Sequence, residues 1–189
     1  MSRILLVKNM VCDRCQQVVQ PALERLGVTI KSIKLGEVEI AEENVDTAAV
    51  TQVLEDNGFE LLDNEQDWLI EKIKSTVIQF VQEPDAAAVH LTFSHYLQET
   101  LDTDYRSLSA RFSRTEGVTI ERYLILQRVE KVKELLTYNE LTIGQIAERM
   151  NYRSSAHLSA QFKNVTGMTP SQFKKQKRNQ RKPLDKVLS

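Results

Sequence analysis

The chain has 189 residues, 41% hydrophobic and 27% charged, with a formal net charge of −1. That length allows one or two domains with cores of their own; no apolar run reaches the roughly 18 residues that span a bilayer and no leader pattern opens the chain, so a cytoplasmic location and no membrane partner are expected. The near-neutral total hides a division, because residues 1–64 carry six Lys/Arg against eleven Asp/Glu while residues 101–189 carry seventeen against nine, which suits only the carboxyl half to a polyanion.

Residues 1–62 read as strand, helix, strand, strand, helix, strand. Ile4 to Val7 is a short apolar run; Val18, Leu23 and Leu26 share a helix that ends at Gly27 and contains Pro21. Thr29–Leu35 and Glu37–Ile40 flank Gly36 as a hairpin. Ala48, Val50, Val53 and Leu54 mark a second helix closed by Asn57-Gly58, and Phe59–Leu62 gives a last strand. This order predicts a ferredoxin-like βαββαβ sandwich.

Between the first strand and first helix stands Met10-Val11-Cys12-Asp13-Arg14-Cys15. Two thiols separated by two residues at a helix start can face one ion, and the helix N-terminus is expected to lower their pKa. Thiolates favour soft ions, so Cu(I) or Zn(II) at Cys12 and Cys15 is the expected cofactor; zinc would want four ligands, and only two are evident. A redox-sensing dithiol and a purely structural pair are the alternatives. This M-x-C-x-x-C, in a unit that also ends in Asn57-Gly58-Phe59, resembles the heavy-metal-associated domains of copper chaperones and metal-pumping ATPases. It departs from their pattern at Asn9, where Gly is common, and at Val11, where Thr is common.

Asn64 is a suitable N-cap for a helix that ends before Pro84, with Trp68, Leu69, Ile73, Val77, Phe80 and Val81 as an apolar face. Its partner is the sandwich, the helical half, or the same helix of a second chain in a homodimer. The expected division is therefore residues 1–62, a connecting helix over 63–84, a helical domain over 85–176 and a basic, mobile tail over 177–189.

The helical half contains an internal copy. Leu108–Tyr123 reads LSARFSRTEGVTIERY and Leu158–Phe173 reads LSAQFKNVTGMTPSQF, so a shift of 50 positions superposes Leu, Ser, Ala, Phe, Gly and Thr without a gap. Each copy is a helix capped by glycine, Gly117 or Gly167, and each follows a shorter helix: Phe93–Leu101 before the first, Ile143–Met150 before the second. Asp102-Thr103-Asp104 and Asn151-Tyr152-Arg153 make the corners, with Asp and Asn tolerating a left-handed backbone. Helix, tight turn, helix is the helix-turn-helix arrangement.

The Ile146-Ala147-Glu148-Arg149-Met150 segment, the run LSAQFKNVTGMTPSQF and its earlier copy resemble the paired helix-turn-helix domain of the AraC/XylS transcription regulators, over roughly residues 90–176. The resemblance implies one long helix joining the units, here Ile120–Thr137 with Tyr123, Leu124, Val129, Val132, Leu135 and Leu136 as its apolar stripe. It implies double-stranded DNA as partner and places Arg106, Ser109 and Ala110 at base edges. Arg106 is the best candidate for a bidentate guanine contact, with Tyr105 beside it and Arg111 and Arg114 suited to phosphate. In the second unit the outward positions hold Ser155, Ala156 and Ala160, small side chains that discriminate little; Arg153, His157, Gln161 and Lys163 are the polar neighbours, with Ser154 the expected cap. His157 is equally a packing histidine.

The expected fold class is α+β, a sandwich followed by an all-α domain, and the expected function is sequence-specific DNA-binding regulation, with Cys12/Cys15 as an input. A metal chaperone or metal-binding adaptor whose helical half docks a protein is the alternative. No Ser/His/Asp set, paired carboxylates or phosphate-binding Gly loop points to an enzyme.

Overall fold

Alternation builds the amino-terminal sheet. In β1 (Arg3–Lys8) Leu5 and Val7 are buried while Ile4, between neighbours of opposite facing, is 56% exposed. The computed structural model describes residues 2–62, 65–82, 92–175 and 187. It continues through α1 (Asp13–Glu24), β2 (Ile30–Lys34), β3 (Glu37–Ile40), α2 (Thr47–Asp56) and β4 (Glu60–Leu62). The strands lie in the order β2-β3-β1-β4 and every neighbouring pair is antiparallel, with Leu5 opposite Val38 and Val7 opposite Leu61. Val19 and Leu23 of α1 and Val50 and Leu54 of α2 join Leu5, Val7, Val38 and Ile40 in one core.

Two details of this half differ from expectation. The first helix ends at Glu24, and Val18 and Leu26 are exposed, because Val19, Ala22 and Leu23 form its buried face instead. Pro21 sits inside the helix. Met10 is also in the core, at 1% exposure, and anchors the cysteine loop from its amino-terminal side.

The chain divides into two compact units, Met1–Gln79 and Phe80–Ser189. The division falls within α3 (Glu65–Gln82). In the first unit Lys72 pairs with Glu37 of β3 at 3.0 Å, and Ile70, Ile73, Val77 and Ile78 are buried. In the second, the Phe80 ring meets Phe93 and Tyr96, with centroids 4.8 and 5.1 Å away, and Gln82 accepts from Lys131 at 2.6 Å. The expected cap Asn64 and the joint at Pro84-Asp85 lie outside the described residues, as does the tail apart from Val187. That residue is buried beside Phe173 and Val165.

The second unit continues with α4 (Phe93–Leu101), α5 (Tyr105–Glu116), α6 (Ile120–Tyr138), α7 (Ile143–Arg149), α8 (Ser155–Thr166) and α9 (Pro170–Lys175). The sequence copy is a copy of backbone. Helices α5 and α8 have 12 residues each and end on Gly117 (φ 71°) and Gly167 (φ 80°), left-handed caps that a side chain would strain. Their core rings correspond too: Phe112 meets Tyr123 at 5.6 Å, and Phe162, 50 positions on, meets Phe173 at 5.5 Å. Helix α6 runs between the copies and packs on α5, α7, α8 and α9. Every residue of its expected stripe is buried, together with Gln127, Glu130 and Lys133, because a helix packed on both units has little face left for water. Among the described residues no helix is long and apolar enough to cross a membrane.

Candidate nucleic-acid interface

Sharp corners set α5 and α8. Asp102 (φ 46°) and Asn151 (φ 54°) take the left-handed conformation that turns the chain between α4 and α5 and between α7 and α8. Each second helix is then capped at an equivalent position: Asp104 accepts from the Ser107 amide at 2.9 Å, and Ser154 accepts from the His157 amide at 3.1 Å. The corners are not identical. One residue, Thr103, separates Asp102 from Asp104, whereas two, Tyr152 and Arg153, separate Asn151 from Ser154.

On α5 the buried residues are Leu108 and Phe112. Arg106, Ala110, Arg111 and Arg114 are exposed and Ser109 is half-buried, so three guanidinium groups stand on the solvent side of one helix. Tyr105 differs from expectation. Its hydroxyl donates to the Glu121 carboxylate, tying the start of α5 to the first turn of α6. Burial, then that carboxylate, pushes the phenol pKa up; the same bond holds the Glu121 carboxyl below the usual range. Its one O–H is thus committed within the fold.

On α8 the buried pair is Leu158 and Phe162. Arg153, Ser154, Ser155, Ala156, His157, Ala160 and Lys163 are all exposed. His157 has its ring edge against Tyr152, with centroids 5.4 Å apart, so it packs on one side and meets solvent on the other. Gln161 is half-buried and accepts from the Tyr152 hydroxyl at 2.7 Å. Sequence reading missed two further exposed arginines, Arg122 on α6 and Arg149 on α7, and the signal available for them was charge alone.

In the first unit of the chain, Cys12 is the N-cap residue of α1 and the two sulfurs stand 3.3 Å apart, both partly buried. Asn9 has φ 69°, a left-handed backbone that asparagine tolerates, and its carbonyl faces Cys15 Sγ at 3.7 Å. Burial, then the hydrogen bond with Cys12, pushes the Cys15 thiol pKa up, against the expected lowering by the helix end. Among the described residues no group of three or more His, Cys, Asp or Glu stands together as a metal cage.

Two units of helix, left-handed corner and helix, carried on one long helix and presenting basic side chains, define a double helix-turn-helix module. Residues 97–176 match the family model described as a helix-turn-helix domain. The chain is similar to the HTH-type transcriptional activator RhaR of Pectobacterium carotovorum subsp. carotovorum (strain PC1), with 36% identity over 69 residues, 36% of this chain and 24% of that protein. A RhaR from Enterobacter sp. (strain 638) is 28% identical over 118 residues, 61% of this chain and 38% of that protein. The chain thus spans well under half the length of these relatives. Among solved structures, the C-terminal domain of AraT, a response regulator from Geobacillus stearothermophilus, aligns with a TM-score of 0.48 and 25% identity, covering 56% of this chain and 83% of that one.

Proposed function

We propose that this protein is a sequence-specific DNA-binding transcription regulator whose two reading heads are α5 and α8. The observation that carries this reading is the repeated helix, left-handed corner and capped helix braced by α6, with Arg106, Arg111 and Arg114 exposed on α5 and Lys163 exposed on α8. In this reading Arg106 reads a guanine edge, while Arg111, Arg114, Arg153 and Lys163 hold phosphates; Ser109, Ala110, Ser155, Ala156 and Ala160 line the groove. Ser154 aims the first amides of α8, and Tyr105 acts as a brace more than a reader. A gel-shift assay with duplexes selected from a random pool tests it: retention of selected duplex over random duplex at physiological salt is expected. Equal retention of both would reject it.

We further propose that residues 1–62 form a ferredoxin-like domain related to heavy-metal-associated modules, supported by the β-α-β-β-α-β order and the strand order β2-β3-β1-β4. Two free, partly buried thiols with sulfurs 3.3 Å apart are the donor type that a soft ion prefers. Bound there, Cu(I) would supply charge and order to the loop, and α3 would carry that change onward. The same separation favours a dithiol responding to redox state. Titration of the reduced protein with Cu(I) is expected to saturate at one ion per chain and to fail in the Cys12→Ser, Cys15→Ser double variant. Identical titrations would remove the metal reading and leave DNA binding untouched. Pairing of two chains through α3 is a further expectation, tested by sedimentation.

A further inference from the structure

The first unit has no tyrosine at the position of Tyr152. That residue stands 50 positions after Asp102, the left-handed corner residue of the first unit, it is 8% exposed, and its hydroxyl donates to Gln161 Oε1 at 2.7 Å, nine positions along the chain. The position equivalent to Gln161 in the first unit is Arg111, a side chain with donors only. A glutamine amide has an acceptor edge and a donor edge, and with both available it pairs with adenine, giving to N7 and receiving from the N6 amino group.

We propose that Tyr152 is a positioning residue that holds the Gln161 carbonyl oxygen inward, leaving the amide NH2 as the edge offered to DNA, so that α8 selects guanine and rejects adenine. This rests on the DNA-binding reading above. Guanine presents two acceptors, N7 and O6, in the major groove, and both amide hydrogens can meet them; adenine presents a donor where O6 would be, and two donors then face each other. Burial raises the Tyr152 pKa, which keeps its O–H in place as donor. His157, one turn before Gln161, meets the Tyr152 ring in a T-shaped contact with centroids 5.4 Å apart. The second unit therefore reads a base with a side chain whose polarity is fixed from behind, which its row of small residues does not reveal.

The test is selection of duplexes from a random pool by the full chain, by Tyr152→Phe and by Gln161→Glu. The wild type is expected to select a guanine at one position of the half-site read by α8. Tyr152→Phe keeps the ring and frees the amide to turn, so the guanine-over-adenine preference there should fall about tenfold while other positions keep theirs. Gln161→Glu still accepts from Tyr152 but has no donor, and preference at that position should move to cytosine, whose N4 amino group donates. A merely structural role would not move one base preference in that way, and Gln161→Glu decides the matter if Tyr152→Phe fails to fold. A wild-type motif reproduced unchanged by both variants, or one with adenine at the Gln161-dependent position, would overturn this proposal and leave the regulator reading standing. No motif at all for the wild type would overturn both.

Discussion

Arg106 and Tyr105 are neighbours with opposite fates. The arginine is exposed on α5, while the tyrosine spends its hydroxyl on Glu121. Arg106→Ala is expected to relax base preference at one or two positions and to cost roughly 1 to 3 kcal/mol of binding to the selected duplex, measured by competition titration. Tyr105→Phe is expected to act on stability. A carboxyl whose pKa is depressed by folding contributes stability above its unfolded value and loses it as pH falls through the folded value. The gap in urea midpoint between wild type and Tyr105→Phe should therefore be present at neutral pH and narrow as pH falls below the usual carboxylate range, where Glu121 takes up its proton. The tie spans 16 positions, and nothing local in the sequence pairs a tyrosine at a helix start with a glutamate one helix later. The pairing of Tyr152 with Gln161 was hidden for the same reason. Arg106 and Ser154, by contrast, were legible, because helical spacing from Leu108 and the preference of serine for N-caps are local rules.

Legibility follows the same division among the elements. The corners at Asp102 and Asn151 and the caps at Gly117 and Gly167 were readable because left-handed backbone restricts residue type. The buried face of α1 was not: Val18 and Leu26 have the right chemistry, but burial is decided by where the sheet lies, and it selects Val19, Ala22 and Leu23. Helix α7 shows how much a short element owes to its end. It has seven residues, and Thr142 and Gln145 form a reciprocal cap in which Gln145 Oε1 accepts from the Thr142 amide at 2.9 Å and the Gln145 amide donates to Thr142 Oγ1. Thr142→Ala is expected to lower unfolding free energy by about 1 kcal/mol, read from the urea midpoint at unchanged slope. The seven-residue length makes α7 dependent on that cap, since so short a helix has no independent stability.

At the scale of the chain, an acidic amino half is joined to a basic carboxyl half, and only the second carries the helix-turn-helix copies. Lys174 and Lys175 extend the exposed cations past α8 into the last turn of α9. The double variant Lys174→Gln, Lys175→Gln should leave the selected motif unchanged but reduce the slope of log affinity against log salt by roughly 2, because each phosphate contact releases about one counterion. An unchanged slope would mean that neither lysine faces the duplex.

The matched glycine ends at positions 117 and 167 carry an evolutionary consequence. Two stretches of equal length, started and stopped by interchangeable backbone devices, can drift apart in their lettering without disturbing the scaffold that displays them. A chimera in which the outward residues of α5 are written onto α8 should therefore fold as the parent does and recognise a tandem repeat of a single half-site.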